Sequence, residues 1–187
     1  MYEVEVKARL QNREEVYKKL IDLGCKFSEE LHQVDHIFTP KGIDFPPPLS
    51  TPVLRVREQN GKSIFTLKIS QSSRQDCIER ETEISDGGIM VDIMKHLNYV
   101  EVSVVDKKRI KTNYKDMEIV LDTVKDLGEF IEVEKVVTEE NSEARQRIQQ
   151  ELYDFLETIG ISKQDHVIGG KYDIMLYEKL KTQENSV

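Results

Sequence analysis

Polar and apolar residues alternate along the first ten residues of the chain, a pattern typical of a half-buried β-strand. Because successive side chains of a strand point to opposite faces, these residues divide into an apolar face and a charged face. The apolar face comprises Tyr2, Val4, Val6, Ala8 and Leu10, and the charged face comprises Glu3, Glu5, Lys7 and Arg9. Alternation alone predicts a charged face in bulk water. If other strands carried matching faces, however, these could point at one another and line a polar cavity.

The same periodicities predict about eight strands and about four helices along the chain. After the first strand, strands are predicted at residues 34–38, 53–58, 62–70, 77–85, 100–111, 117–125 and 129–137. Helices are predicted to begin at Asn12, at Ser85 or Asp86, at Ser142 and at about Tyr172. The proline-rich residues 39–52 are predicted to form a loop, and Asn60-Gly61 a hairpin turn.

Eight mostly antiparallel strands can close into a barrel with room for one small ligand. The predicted fold is therefore α+β, an eight-stranded antiparallel β-barrel or tunnel with helices packed on its outside. Residues 1–181 are expected to form this single domain, and residues 182–187 a loose tail.

Charged residues of one sign are grouped two positions apart, and hence on one face, on several of the predicted strands. The cations are Arg55 and Arg57, then Lys68, then Lys107 and Arg109. The acids are Glu3 and Glu5, Glu81 and Glu83, and Glu132 and Glu134, with Asp122 on the strand before the last pair. Each of these glutamate pairs lies on a strand that leads directly into a helix.

Any one of these strands, taken alone, is best explained as a solvated surface with ordinary cross-strand ion pairs. The joint pattern favours another explanation, because like charges crowded on one face destabilise a sheet unless an opposite charge joins them. Clustered carboxylates suit a hard divalent cation, and clustered arginines and lysines suit a multiply charged anion. Both clusters in one barrel indicate a metal-bound polyphosphate.

Composition and charge exclude several classes of partner. With 187 residues and a formal net charge of −8, the chain can bury a core but offers no general surface for nucleic acid or anionic membranes. The two cysteines form no spacing motif, no apolar run is long enough to span a membrane, and a charged strand begins at once in place of a signal peptide. We therefore expect a cytoplasmic protein that binds neither nucleic acid nor membrane. The sequence leaves a homodimer open.

The charged motifs resemble those of the CYTH family, also called triphosphate tunnel metalloenzymes. In chain order, the similar stretches are Glu3-Val4-Glu5-Val6-Lys7, Leu54-Arg55-Val56-Arg57-Glu58, Thr66-Leu67-Lys68, Arg80-Glu81-Thr82-Glu83, Lys107-Lys108-Arg109, residues 121–134 and Gly170-Lys171-Tyr172. The family includes class IV adenylyl cyclases, thiamine triphosphatases and inorganic triphosphatases. One departure concerns the cyclases, which often carry a His-Phe pair before the first glutamate, where this chain has Tyr2.

The resemblance implies a tunnel enzyme that binds a triphosphate together with Mg²⁺ or Mn²⁺. It assigns phosphate binding to Lys7, Arg55, Arg57, Lys68, Lys107, Arg109 and Lys171. It assigns metal binding to Glu3, Glu5, Asp122, Glu132 and Glu134, with Glu81 and Glu83 as further tunnel acids. Among these residues, Lys7, Glu5 and Arg57 are expected to be catalytic.

The nucleophile would decide the product. Attack of the ribose 3′-hydroxyl of ATP on the α-phosphorus would give cyclic AMP and pyrophosphate, as in a class IV adenylate cyclase. Attack of water on the terminal phosphorus would make the protein a triphosphatase acting on thiamine triphosphate, a nucleotide or inorganic tripolyphosphate. A non-catalytic polyphosphate-binding module is the third alternative. Layout and length favour the cyclase by a narrow margin.

Overall fold

Eight antiparallel strands close into a barrel in the computed structural model, which describes residues 1–184. The strands are β1 (Tyr2–Arg9), β2 (Leu31–Pro40), β3 (Pro52–Gln59), β4 (Lys62–Ser73), β5 (Asp76–Ile84), β6 (Tyr99–Tyr114), β7 (Met117–Val124) and β8 (Gly128–Val137). The helices are α1 (Arg13–Asp22), α2 (Gly87–His96), α3 (Ser142–Thr158) and α4 (Tyr172–Glu184). Around the barrel the strands follow the order β1-β5-β4-β3-β2-β6-β7-β8. The predicted α+β fold, a closed antiparallel barrel with helices around it, is confirmed.

The apolar face of β1 lies on the outside of the barrel, under the helices. Val4, Val6 and Ala8 are fully buried, and they pack in one cluster with Leu20 of α1 and Leu152 of α3. Because the helices cover this face, the charged face of the same strand points inward. The largest hydrophobic core therefore sits between the barrel wall and the helices, which leaves the interior to polar side chains.

Side-chain caps fix the starts of the first three helices. The side chain of Asn12 accepts a hydrogen bond from the backbone N–H of Glu15, as predicted. Of the two candidates for the second helix, Asp86 is the cap. Asn141 caps α3, which begins at Ser142 as expected.

Several predicted strands and helices were shorter than the observed ones. Strand β2 begins at Leu31 and not at residue 34, because its first residues pair with Lys107–Arg109 of the long strand β6. Helix α4 continues to Glu184, so residues 182–184, predicted as the start of a tail, are helical. The rest of that predicted tail, residues 185–187, lies outside the described residues. No helix in the described part of the chain is long and apolar enough to cross a membrane.

A buried ion pair fastens α3 to the start of β5. The Arg145 guanidinium donates two hydrogen bonds to Asp76, with Nε–Oδ1 and Nη2–Oδ2 distances of 2.7 and 3.0 Å. Both residues are at most 4% exposed. We expect Arg145→Met to lower the free energy of unfolding by about 3–5 kcal/mol, because it leaves a buried carboxylate unpaired. Urea denaturation measures this loss. Arg147→Met, at an exposed position of the same helix, is the control and should change stability by less than about 0.5 kcal/mol.

Candidate functional site

The interior of the barrel holds one cavity of about 380 Å³ that receives side chains from all eight strands. Most of the lining side chains that the structure describes are charged. Of the residues predicted from the sequence, the lining includes Glu3, Glu5, Lys7, Arg55, Arg57, Lys68, Glu81, Arg109, Glu132, Glu134 and Lys171. The inward charged faces inferred from the alternation pattern therefore meet in one tunnel.

Three glutamates gather at one place on the tunnel wall. Carboxylate oxygens of Glu3, Glu5 and Glu134 all lie within 4.8 Å of one another. Burial raises the pKa of Glu134 to about 7, and the neighbouring acids Glu118 and Glu5 add to the shift. Burial also raises the pKa of Glu3 well above its ordinary value, against the opposing attraction of Lys68. We call these three carboxylates the acid cluster. Hard oxygen ligands of this kind fit Mg²⁺ or Mn²⁺.

The other two predicted metal ligands, Asp122 and Glu132, lie apart from the acid cluster and hold cations. Arg109 Nε donates to Asp122 Oδ1 at 2.7 Å, and Lys7 Nζ lies 2.9 Å from Glu132 Oε1. Arg109 also donates to Glu132. Burial acts to raise the pKa of Glu132, but Lys7 and Arg109 hold it well below the usual range. These two carboxylates fix the cations on the tunnel wall.

A second buried group joins two predicted cations to an acid that the sequence analysis missed. Arg57 donates to both oxygens of Asp35, at 2.6 and 2.9 Å, and Lys107 Nζ donates to Oδ2 at 3.1 Å. Burial acts to raise the pKa of Asp35, but Lys107 and Arg57 hold it well below its ordinary value. The pKa of Lys107 falls to about 8, because burial and the neighbouring cations outweigh the attraction of Asp35.

Glu79 joins the remaining cations, Arg55 and Lys68, and was also missed. Lys68 Nζ lies 2.5 Å from Glu79 Oε2 and 3.3 Å from Glu3 Oε1. Arg55 Nη2 lies 3.2 Å from Glu79 Oε1 and 3.1 Å from Glu81 Oε2. Glu79 therefore links two cations, of which Lys68 also contacts Glu3 and Arg55 also contacts Glu81.

Glu83 does not reach the tunnel. Its side chain is 62% exposed and pairs with Lys62 at 2.9 Å, outside the described cavity lining. The prediction that it is a tunnel acid is wrong, because β5 runs past the rim before reaching this residue. Glu81 lines the cavity with a side chain that is 45% exposed, and so lies at the rim.

Lys171, the residue before α4, and Tyr172, the first residue of α4, both line the tunnel. Lys171 Nζ lies 3.2 Å from Cys77 Sγ. The Tyr172 hydroxyl donates to Asp122 Oδ2 at 3.0 Å, and Lys7 Nζ sits 4.0 Å from the centre of the Tyr172 ring. Tyr172 thus supports both an acid and a cation of the wall.

Comparison with known proteins decides the family. The family model for the CYTH domain matches residues 1–170. The chain belongs to the CYTH family. A relative from Methanocaldococcus jannaschii, provisionally named as an adenylate cyclase, is 31% identical over 174 residues, which is 92% of this chain and 97% of the relative.

Solved CYTH-like structures share the fold. A Pyrococcus horikoshii protein is 28% identical, with a TM-score of 0.75 over 91% of this chain and 97% of its own. A Hippeastrum protein, described as an adenylyl cyclase with a dominant triphosphatase activity, is 19% identical, with a TM-score of 0.61 and 96% of each chain covered. At that identity, the likeness to the Hippeastrum protein shows the fold alone.

Two acids of the CYTH tunnel, Glu79 and Asp35, were not predicted, and only Glu79 is indicated by a pattern in the sequence. Glu79 lies two positions before Glu81 and therefore shares its face. Asp35 lies between the polar Gln33 and the apolar Ile37 on one face of β2, and a lone carboxylate among such neighbours resembles any solvated position. The two-residue spacing along the strand is enough to predict that Glu79 lines the tunnel with Glu81. For Asp35 this spacing is not enough, because its role depends on Arg57 of the neighbouring strand.

Proposed function

We propose that this CYTH protein is a divalent-metal-dependent enzyme that acts on a triphosphate inside its tunnel. The observation that carries the proposal is the placement of the acid cluster and several buried cations around one cavity. A cavity of about 380 Å³ is within the usual size of small-molecule sites. An anion binder alone would have no need of the acid cluster, and a metal site alone would have no need of the cations.

In this proposal the carboxylates and the cations of the tunnel have different roles. Glu3, Glu5 and Glu134 would hold Mg²⁺ or Mn²⁺, and the metal would supply charge neutralisation and polarise the phosphoryl group. The phosphate oxygens would be bound by Lys7, Arg55, Arg57, Lys68, Lys107, Arg109 and Lys171. Asp122 and Glu132, predicted as ligands, are assigned here to orienting Lys7 and Arg109, because both carboxylates already accept hydrogen bonds from these cations.

For the reaction itself, we propose adenylate cyclase activity, as in the name of the Methanocaldococcus jannaschii relative. The ribose 3′-hydroxyl would attack the α-phosphorus of ATP, forming the cyclic ester and breaking the bond to the β-phosphate oxygen, so that pyrophosphate leaves. The buried cations would stabilise the negative charge that develops on the leaving group.

A triphosphatase is the second candidate, and one observation favours it. Tyr2 and Tyr172 are the only aromatic residues among the described lining residues, and each ring is engaged elsewhere. The Tyr2 ring lies against Arg145, and the Tyr172 ring lies under Lys7. One face of each ring is therefore already covered by a cation, whereas hydrolysis of a terminal phosphate requires recognition of the triphosphate alone.

Product analysis separates these activities. The purified protein would be incubated with Mn²⁺ or Mg²⁺ and, separately, with ATP, thiamine triphosphate and tripolyphosphate. Cyclic AMP from ATP supports the cyclase, whereas orthophosphate without cyclic AMP contradicts it and supports the triphosphatase. Binding without turnover of any of the three would overturn the enzyme proposal in favour of a polyphosphate-binding module.

The affinity for Mn²⁺ is expected to rise about tenfold between pH 6 and pH 8. Below pH 7 a proton occupies the Glu134 carboxyl, whose pKa is about 7, and the metal must displace it. Isothermal titration calorimetry at several pH values measures the change. Glu134→Gln should bind more weakly and show a flatter pH profile. An equally steep profile in this variant would show that another group controls the affinity.

A further inference from the structure

The barrel has one weakly paired seam, between β1 and β5. Residues 2–4 of β1 pair with residues 76–78 of β5, whereas all of β1, residues 2–9, pairs with β8. Beyond residue 4, a different part of the chain lies beside β1, namely residues 166–171, which we call the C-terminal strap. Ala8 forms a bridge with His166, and the Val167 N–H donates to the Lys7 carbonyl at 2.8 Å. The strap thus completes the wall where the strands do not meet.

Gln75, in the turn between β4 and β5, binds the strap with both ends of its side-chain amide. Nε2 donates to the Val167 carbonyl at 3.2 Å, and Oε1 accepts from the Gly169 N–H at 3.3 Å. Oε1 also accepts from the Tyr153 hydroxyl of α3 at 3.3 Å. The backbone carbonyl of Gln75 accepts from the Glu5 N–H at 2.9 Å. One residue, only 2% exposed, therefore joins β1, α3 and the strap.

Besides Gln75 and β1, the strap is held near its start, where the His166 ring stacks on Tyr153 with centroids 4.6 Å apart and Val167 packs against a small hydrophobic cluster. Ile168, a large apolar residue of the strap, is 85% exposed and contributes little burial. Beyond Val167 the strap carries no buried apolar side chain, so its hydrogen bonds contribute strongly to how often this part opens. A buried apolar side chain would fill the same space as Gln75, but it could satisfy neither the Val167 carbonyl nor the Gly169 N–H.

The strap ends at Lys171, which lines the tunnel. The carbonyl of the preceding Gly170 accepts from Lys7 Nζ at 3.4 Å. Lys171 Nζ itself contacts Cys77 Sγ, a weak partner. The backbone of the strap therefore sets the point from which the Lys171 side chain extends toward the tunnel.

We propose that Gln75 is a positioning residue that holds the C-terminal strap in the β1–β5 seam and thereby sets Lys171 against the tunnel. The effect on the triphosphate rests on the function proposed above, whereas the hold on the strap does not. The hydrogen bonds of Gln75 go to none of the acid-cluster carboxylates and to none of the phosphate-binding side chains. They hold the backbone of Glu5, Val167 and Gly169, and Gln75 therefore acts on the tunnel through that backbone.

The first test needs no activity. Hydrogen exchange would be followed by mass spectrometry in the wild type and in Gln75→Met, which keeps the length of the side chain but removes its hydrogen bonds. We expect exchange in residues 167–171 to become about tenfold faster, with the outer core unchanged. Gln150→Ala, an exposed glutamine of α3, is the control. Unchanged exchange in the strap would overturn the proposal. If Gln75→Met does not fold, Gln75→Asn, which keeps an uncharged amide on a shorter side chain that cannot reach both Val167 and Gly169, replaces it.

The second test separates positioning from general stability. In the wild-type background, Gln75→Met should raise the KM for tripolyphosphate with Mn²⁺ about tenfold. In a Lys171→Met background the same substitution should change KM by less than about twofold, because the group it positions is gone. Equal effects in both backgrounds would overturn the positioning role. If the wild type turns over no triphosphate, the proposed function fails, and the exchange experiment still decides whether Gln75 holds the strap.

Discussion

Glu5→Gln is expected to reduce triphosphate turnover by about 1,000-fold or more while leaving the barrel folded. Glu5 forms the acid cluster together with Glu3 and Glu134, so the substitution removes one of three candidate metal ligands. A glutamine keeps the shape of the side chain, and its loss of negative charge relieves repulsion with the two neighbouring acids. Activity should therefore fall without a loss of stability.

The measurements are kcat/KM with the substrate that the product analysis identifies, the affinity for Mn²⁺ and the midpoint of thermal unfolding. Glu83→Gln is the matched control, because this acid lies on the solvent side of the rim and pairs only with Lys62 among described residues. The control should retain activity within about twofold. If Glu5→Gln kept the activity of the wild type, the acid cluster could not be the metal site.

Much of the architecture was predictable because a strand of period two has only two faces. Once helices cover the face with Val4 and Val6, the face with Glu3 and Glu5 must point into the barrel. The grouping of like charges at i and i+2 then predicts their meeting in one tunnel, and the structure shows it for the pairs on β1, β3 and β8, whereas Glu83 of β5 stays outside. The alternation along single strands was therefore enough to predict the fold and most of the residues that line the tunnel.

Pairing between strands could not be predicted in the same way. Glu132 and Glu134 are two residues apart on one strand and looked equivalent in the sequence. The structure separates them, because Glu132 lies beside Lys7 and Arg109, which lower its pKa, while Glu134 lies beside Glu5 and Glu118, and its pKa is raised to about 7. This difference depends on the register between β8 and its neighbours, which a local sequence motif does not specify.

The same register gives Asp35 its importance. In the sequence it is one acid on a short predicted strand, but in the barrel it faces Arg57 across β2 and β3. A carboxylate that binds two tunnel cations orients them, and it also makes the fold depend on their presence. The sequence motifs indicate the arginines only as ligand-binding groups and do not reveal their part in stability.

Arg57→Ala is therefore expected to lower activity and stability together. Removal of the guanidinium leaves the buried Asp35 carboxylate with Lys107 as its remaining cation, which should cost about 3–5 kcal/mol in the free energy of unfolding. Arg57→Lys keeps a charge near Asp35 but cannot donate to both oxygens from a planar fork. It should lose about 1–2 kcal/mol of stability, yet still lower kcat/KM by about 100-fold. Arg80→Ala, an exposed arginine, is the control.

The pH dependence identifies Asp35 as the source of the lost stability. Because its pKa in the folded wild type is well below the ordinary value, Asp35 contributes stability that is present above that value and is lost as the pH falls through the lowered one. In Arg57→Ala the pKa of Asp35 should rise, so that its carboxyl takes up a proton at higher pH. The difference in unfolding free energy between wild type and variant should therefore shrink as the pH is lowered from about 5 toward about 2. Urea denaturation across this range measures it, and a constant difference would mean that Arg57 stabilises the barrel through packing and not through its ion pair with Asp35.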